Sequence, residues 1–155
     1  LDTLARYSLF GSYNAKKGKS AEQILENILN EMGIPYDKGA VKGVRATIDF
    51  IIPSKINPKI FIQVSYQGTT SSGMGRKARD ELGVAEDIKK NYPDAIFIQF
   101  IDGIGWIIRI SDLKRMVQAG DYVFTFHEEQ LEEFKKLLLQ VLSEKDFKPN
   151  LRRFL

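Results

Sequence analysis

Two apolar runs separated by a short turn, IDFII at 48–52 and KIFIQVSYQ at 59–67, most constrain the fold of this chain. Their β-branched and aromatic residues predict two strands. Polar residues interrupt both runs: Asp49 in the first, and Gln63 and Ser65 in the second. Because alternate strand residues point to opposite faces, Gln63 and Ser65 share a face. The sequence therefore predicts a sheet with a small polar site within an apolar layer.

Helical periodicity and further apolar runs surround these strands. Ser20 is a good N-cap for a helix from Ala21 to Met32. In the first strand, alternation places Ile48, Phe50 and Ile52 on one face. The element order predicts an α/β domain with a mixed sheet flanked by helices. The remaining predicted elements are a strand from Gly39 to Ile52, a helix over 76–91 with its stripe at Ala78, Leu82, Ala85 and Ile88, strands over 95–101, 106–110 and 122–126, and helices over 112–117 and 128–142.

Composition excludes several kinds of chemistry. The chain has no cysteine and one histidine, His127, which excludes disulfides, thiolate catalysis and metal sites built from cysteine or several histidines. The net charge of +3 permits nucleic-acid binding without requiring it. The apolar runs are too short to cross a bilayer and no secretory leader is visible, so we expect a cytoplasmic protein with no membrane partner. We expect one domain over 1–155, and the start at Leu1 suggests a fragment of a longer chain.

The tripeptide Gly18-Lys19-Ser20 before the first helix is similar to the end of a phosphate-binding P-loop. That motif needs a glycine five residues before Gly18, where this chain has Tyr13. A basic lead-in to a capped helix is therefore favoured. A nucleotide-binding protein stays a remote alternative, which ATP binding abolished by Lys19→Ala would support.

A stronger constellation combines Glu22 on the first helix with Asp49, Gln63 and Ser65 on the two strands. Hydrolysis of a phosphodiester is served by a divalent metal, and Mg²⁺ is held by carboxylate, carbonyl and water oxygens. Two neighbouring strands can bring a carboxylate and a second side-chain oxygen together, and a helix carboxylate can complete the site. A solvated strand face is the simpler interpretation, but it does not explain why Asp49 interrupts an apolar run.

The segment after the second strand has the composition of a DNA-contacting loop. Short hydroxyl side chains suit phosphates and base edges, and arginine can contact guanine or phosphate through two hydrogen bonds. The alternative is a flexible loop before a solvated helix start. The predicted DNA-binding residues, which include two lysines upstream, are Thr69, Thr70, Ser71, Ser72, Arg76, Lys77, Arg79, Lys17 and Lys19.

Taken together in this order, these pieces resemble the PD-(D/E)XK nuclease superfamily, and more closely the Dpn/Mbo group of type II restriction endonucleases, which cut at GATC. The similar stretches are KSAEQILENILNEMG, IDFII, FIQVSY with KARDE behind it, and FIDGIGW. The resemblance implies a restriction-endonuclease-like core and Mg²⁺ as cofactor, with Mn²⁺ as a substitute. It also implies double-stranded DNA as substrate, in-line attack of water at phosphorus, and a homodimer that cuts both strands.

Carried over by position, the resemblance assigns catalytic roles to four residues. Glu22 matches the helix glutamate of the family and Asp49 its metal-binding aspartate. Gln63 stands where the family has a metal-binding glutamate, and Ser65 stands where the superfamily has its lysine. The implied metal ligands are Asp49, Gln63 and the main-chain carbonyl of Val64, with Glu22 supporting a second metal or a bound water.

Gln63 and Ser65 both depart from the pattern. An amide oxygen can bind a metal, but it lacks a charge, and Ser65 cannot supply the positive charge of a lysine. Three interpretations stay open: another lysine such as Lys59 or Lys77 stands in, the site is slow, or Gln63 is an inactivating change. The alternative function is a DNA-binding module of the same fold that has lost catalysis.

Overall fold

The computed structural model describes residues 20–66, 74–102 and 120–144, with backbone alone at 66, 74–79, 102 and 144. The predicted strand over 106–110 and helix over 112–117 lie outside these ranges. The helices and strands are α1 (Ala21–Glu31), β1 (Asp37–Gly39), β2 (Ile48–Ile52), β3 (Ile60–Tyr66), α2 (Met74–Asn91), β4 (Ile96–Asp102), β5 (Tyr122–Phe124) and α3 (Glu128–Glu144).

The described strands form one five-stranded mixed sheet in the order β1-β2-β3-β4-β5. Both β1 and β3 pair with β2 in antiparallel fashion, whereas β3, β4 and β5 are parallel. Because parallel neighbours need a crossover connection, α2 links β3 to β4 and runs back along the sheet between them. The predicted α/β fold with a mixed sheet flanked by helices is confirmed.

The sheet separates two hydrophobic clusters. On one face, Phe50, Ile62 and Phe100 pack with buried residues of α1 and α3, and the ring of Phe100 meets that of Phe134 edge to face at 4.8 Å. On the other face, the buried residues pack with α2; they are Val41, Ile48, Ile51, Phe61, Val84, Ile88 and Phe97. Burying each such large side chain contributes roughly 1.5–3 kcal/mol before entropy is subtracted. The two clusters therefore fix which residues of each strand face which helix.

The predicted first helix is confirmed, and the strand predicted after it is shorter than expected. Ser20 has extended backbone and its Oγ accepts from Gln23 N at 3.1 Å, so it caps α1. Residues 40–47 form a loop between β1 and β2 instead of strand. The last residue of α2 and the residue after it satisfy carbonyls of that loop: Asn91 Nδ2 donates to Gly43 O at 3.0 Å, and Tyr92 OH donates to Lys42 O at 2.6 Å.

The buried stripe of α2 also differs from the prediction. Leu82 is half-buried, whereas Glu81, Val84 and Ile88 are buried. The reason is packing on the sheet: Val84 and Ile88 lie in the buried cluster that contains Phe61 and Phe97, and the Arg45 side chain lies beside Gly83, where an added Cβ would be 2.5 Å from Nη1. The helix therefore turns Val84 towards the sheet, and Glu81, one turn earlier, turns with it.

An ion pair fastens the same loop to α2. Arg45 Nε and Nη2 donate to the two carboxylate oxygens of Asp87 at 2.9 and 3.1 Å, and Arg45 N donates to Oδ2 at 2.9 Å. The hydrogen bonds from Arg45 hold the pKa of Asp87 below its ordinary value. The pair therefore stabilises the fold at neutral pH and stops doing so in acid.

We expect Arg45→Met to lower the melting temperature at pH 7 by roughly 1–3 °C, because the pair is solvent-exposed. Asp87 has a lowered pKa in the folded state, so its contribution is present above the unfolded value, about 3.9. The contribution is lost as pH falls through the lower folded value. Thermal melts of both proteins from pH 7 to pH 2 should converge in acid; a constant difference would show that the charge plays no part.

Candidate active site

A β-bulge lies in β2 where it faces β1. Between the two paired positions that flank the bulge, β2 has two intervening residues and β1 has one. Asp49 and Phe50 therefore together oppose Lys38. The extra residue breaks the predicted alternation, because Ile48 packs with Ile51 on the α2 face and not with Phe50. The paired positions that define the bulge are Asp37 with Ile51 and Gly39 with Ile48.

Next to the bulge, side chains replace the regular ladder between β2 and β3. Asp49 Oδ2 accepts from Val64 N at 2.7 Å. In the opposite direction, Asp49 N donates to Gln63 Oε1 at 2.8 Å, and Gln63 Nε2 donates to Thr47 O at 3.1 Å. Three backbone groups that a continuous ladder would pair are thus satisfied by two side chains. The strands open here, and the opening holds the Asp49 carboxylate against the main chain of β3.

The surroundings of Gln63 suit an amide better than an ionised carboxylate. The side chain is 6% exposed, and it meets a donor, Asp49 N, on one side and an acceptor, Thr47 O, on the other. A carboxylate could accept from the first but would face the carbonyl oxygen of the second without a proton to share. Gln63 therefore fits this position as it stands.

A strip of buried polar residues continues on the α2 face of the sheet. Gln63 follows Phe61 by two residues, and Gln99 follows Phe97 by two, so both amides share the face that α2 covers. Ser65, two residues further, is 3% exposed, and its Oγ has no hydrogen-bond partner among the described residues. Because unpaired buried polar atoms are rare, the Ser65 hydroxyl oxygen is a candidate to bind a ligand such as a metal ion.

Glu22 is engaged in an ion-pair cluster on the other face. Lys38 Nζ lies 3.1 Å from Glu22 Oε2 and 2.6 Å from Glu26 Oε1, and it also lies 4.7 Å from the centre of the Phe50 ring. Burial lowers the pKa of Lys38, but the two glutamates outweigh burial and hold that pKa above its ordinary value. The cluster places Glu22 beside the residue that opposes the bulge.

Of the two lysines considered as replacements at Ser65, Lys59 is excluded by its position. Lys59 N donates to Ile52 O at the opposite end of β3. Ser65 lies six positions further along the chain, which is about 20 Å along the strand. Lys77 belongs to the first turns of α2, where the structure gives the backbone alone.

The predicted DNA-contacting residues fall mostly outside the described ranges. The backbone of α2 begins at Met74, so Arg76, Lys77 and Arg79 occupy its first two turns, at the carboxyl end of β3. Their contacts with DNA stay predictions. The remaining predicted DNA-binding residues lie outside the described part of the chain; they are Thr69, Thr70, Ser71, Ser72, Lys17 and Lys19.

Glu81 is a candidate site residue that the sequence did not single out. It belongs to the KARDE stretch and is 2% exposed in α2, on the side that packs against the sheet. The sequence signal was its spacing, because Glu81 precedes Val84 by three residues and Ile88 by seven. A glutamate in a helix is usually a surface residue, so this spacing alone does not predict a buried acid.

The oxygen atoms of Asp49 and Ser65 are of the chemical type that binds a hard cation. Mg²⁺ takes carboxylate, hydroxyl and carbonyl oxygens, and Asp49 supplies a carboxylate while Ser65 supplies a buried hydroxyl oxygen with no protein partner among the described residues. Within the described residues, no group of three or more His, Cys, Asp or Glu side chains could hold a metal ion. The strands thus provide one acidic ligand, and other oxygens would have to complete the coordination.

The five-stranded mixed sheet flanked by helices is consistent with a restriction-endonuclease-like fold. The model of the BanI C-terminal domain, a restriction enzyme domain, matches residues 12–142. The chain belongs to this family. No curated protein and no solved structure matches it.

The family confirms the predicted relation to restriction endonucleases. The Dpn/Mbo group, the PD-(D/E)XK superfamily, the metal and the homodimer stay predictions. None of the helices in the described ranges is both long and apolar enough to cross a membrane.

Proposed function

We propose that this chain is a divalent-metal-dependent DNA endonuclease domain that hydrolyses phosphodiester bonds of double-stranded DNA at a short specific site. The observation that carries the proposal is the Asp49 carboxylate, fixed beside the bulge by the 2.7 Å hydrogen bond from Val64 N. Membership of a restriction enzyme family supports the substrate. A strand aspartate held in one orientation is the element that such a reaction needs to bind a cation reproducibly.

In this proposal Asp49 and the Val64 carbonyl hold Mg²⁺. When bound, the cation neutralises charge on the scissile phosphate and on the oxygens that enter and leave. Gln63 keeps the Asp49 main chain in place, and its additional role as a ligand through Oε1 stays a prediction. Glu22 can support a second cation or a bound water only after its ion pair with Lys38 opens.

DNA would lie across the carboxyl end of β3, where α2 begins. The three basic residues Arg76, Lys77 and Arg79 are in the first two turns of that helix. Cations at a helix N-terminus oppose the helix dipole, so a phosphate between them would relieve an unfavourable interaction. Two copies of the chain would then cut both strands of a palindromic site.

The test is cleavage of supercoiled plasmid by the purified chain with Mg²⁺ or Mn²⁺. We expect nicked and linear products with either cation and none in EDTA. Salt-sensitive DNA binding without cleavage under both cations would instead support the inactive DNA-binding module. That alternative is favoured by one specific observation: Ser65 occupies the position at which the superfamily has a lysine.

A further inference from the structure

One buried acid is not explained by the proposed roles. The buried polar residues of the described ranges are Gln63, Ser65, Glu81, Gln99 and Thr125, and Glu81 alone among them is acidic. A carboxylate out of contact with water loses its hydration and persists where charge or hydrogen bonds compensate for that loss. Such residues cluster at functional sites.

The topology places Glu81 over the polar strip of the sheet. Because α2 runs back from the end of β3 to the start of β4, its C-terminal end lies near the beginning of these strands, where the ring of Tyr92 meets that of Phe61 at 5.3 Å. Moving towards the helix N-terminus therefore moves towards the carboxyl end of β3. Glu81 lies one turn beyond Val84 in this direction, as Gln63 lies two residues beyond Phe61.

Two further observations indicate that a cation coordinated by protein oxygen atoms binds at this place. Ser65 Oγ, on the same face of β3, is buried and has no hydrogen-bond partner among the described residues. Gln63 is an amide and provides no acid, and the β2 main chain engages both ends of its side chain. The second acid that a divalent cation would favour must therefore come from another element, and α2 carries one.

We propose that Glu81 supplies, from α2, the second carboxylate of a divalent-cation site whose first carboxylate is Asp49. The Ser65 hydroxyl is the neighbouring oxygen, in contact with the cation directly or through water. This inference rests on the proposed function, since it completes the same site. In this proposal Glu81, a helix residue, supplies the carboxylate that Gln63 does not provide.

The experiment is calorimetric titration of the folded, DNA-free chain with Mn²⁺. Four proteins are compared: wild type, Glu81→Gln, Asp49→Asn, and Glu86→Gln as a matched control, because Glu86 is exposed on the same helix. We expect Glu81→Gln and Asp49→Asn to weaken Mn²⁺ binding by at least about tenfold, since each removes one charged ligand. We expect Glu86→Gln to bind Mn²⁺ like the wild type.

Thermal melts in EDTA separate a ligand from a purely structural residue. If Glu81 is a ligand, added Mn²⁺ raises the melting temperature of the wild type more than that of Glu81→Gln, measured against each protein in EDTA. If Glu81 is only a structural anion, Glu81→Gln lowers the melting temperature in EDTA and leaves the Mn²⁺ affinity unchanged. If Glu81→Gln does not fold, Glu81→Asp keeps the charge and shortens its reach. We expect it to weaken Mn²⁺ binding by at least about threefold, and unchanged affinity overturns the inference.

Failure of the inference and failure of the proposed function give different results. If Asp49→Asn loses Mn²⁺ binding while Glu81→Gln keeps it, the assignment of Glu81 is wrong and the endonuclease proposal stands. If the wild-type chain neither binds Mn²⁺ nor cleaves plasmid, both are wrong.

Discussion

Replacing Asp49 with asparagine is expected to lower metal-dependent plasmid cleavage by at least about 100-fold, because it removes a negatively charged ligand of the proposed cation. The fold should survive the change. An asparagine Oδ1 can still accept the hydrogen bond that Val64 N now donates at 2.7 Å. The measurement is the single-turnover cleavage rate in Mg²⁺, together with a thermal melt to confirm the fold.

Asp94→Asn is the matched control for this variant. Asp94 is exposed in the turn before β4, at the end of the parallel strands away from Asp49. We expect it to cleave within about twofold of the wild type. DNA binding in EDTA should be retained by Asp49→Asn, since removing an anion reduces repulsion from phosphate. Cleavage by Asp49→Asn at a rate close to the wild type would contradict the assignment of Asp49 as a metal ligand.

Replacing Gln63 with glutamate is expected to lower the free energy of unfolding of the metal-free chain at pH 7 by about 1–3 kcal/mol. We do not expect this change to restore a metal ligand. The introduced carboxylate would face Thr47 O, to which Gln63 Nε2 now donates at 3.1 Å. For a chain of this size such a loss lowers the melting temperature by roughly 3–10 °C. The measurement is urea or thermal unfolding in EDTA.

The pH dependence of the Gln63→Glu variant has a definite sign. When protonated, the introduced carboxyl can donate to Thr47 O, so its pKa is raised in the folded state. Below the unfolded value of about 4.3, both states are protonated and the variant approaches the wild type. The loss of stability grows as pH rises through the raised folded value and is complete above it.

Gln23→Glu serves as the comparison, because Gln23 is exposed in the first turn of α1, where an anion suits the helix dipole. We expect that variant to be neutral or slightly more stable. If Gln63→Glu instead keeps its stability in EDTA and cleaves faster with Mn²⁺, then position 63 is a ligand position and Gln63 weakens the site.

Local sequence patterns were sufficient to predict most of the elements. Ser20 and the apolar spacing that follows it defined α1, and the runs at 48–52 and 59–67 defined two central strands. These features depend on short-range preferences, namely capping, helical spacing and strand composition. They also brought Asp49 and Gln63 to neighbouring strands, where the structure joins them by a hydrogen bond of 2.8 Å.

The orientation of several residues depended on longer-range packing. Alternation along β2 assumes one residue for each step of its partner, and the bulge opposite Lys38 breaks that assumption. The rotation of α2 depends on how Val84 and Ile88 pack against strand residues such as Phe61 and Phe97, which are distant in the chain. The spacing of apolar residues alone favours a stripe through Leu82, so it does not predict that Glu81 is buried.

The bulge also affects how relatives of this chain should be aligned. A relative whose β2 strand pairs without the bulge could match the sequence IDFII with no gap and still direct its aspartate to the opposite face of the sheet. The residue equivalent to Asp49 in a relative is therefore better identified by the hydrogen bond that its carboxylate accepts from the β3 main chain than by its position in a sequence alignment. A library designed to alter cleavage should accordingly keep the length of β2 constant before it varies any side chain there.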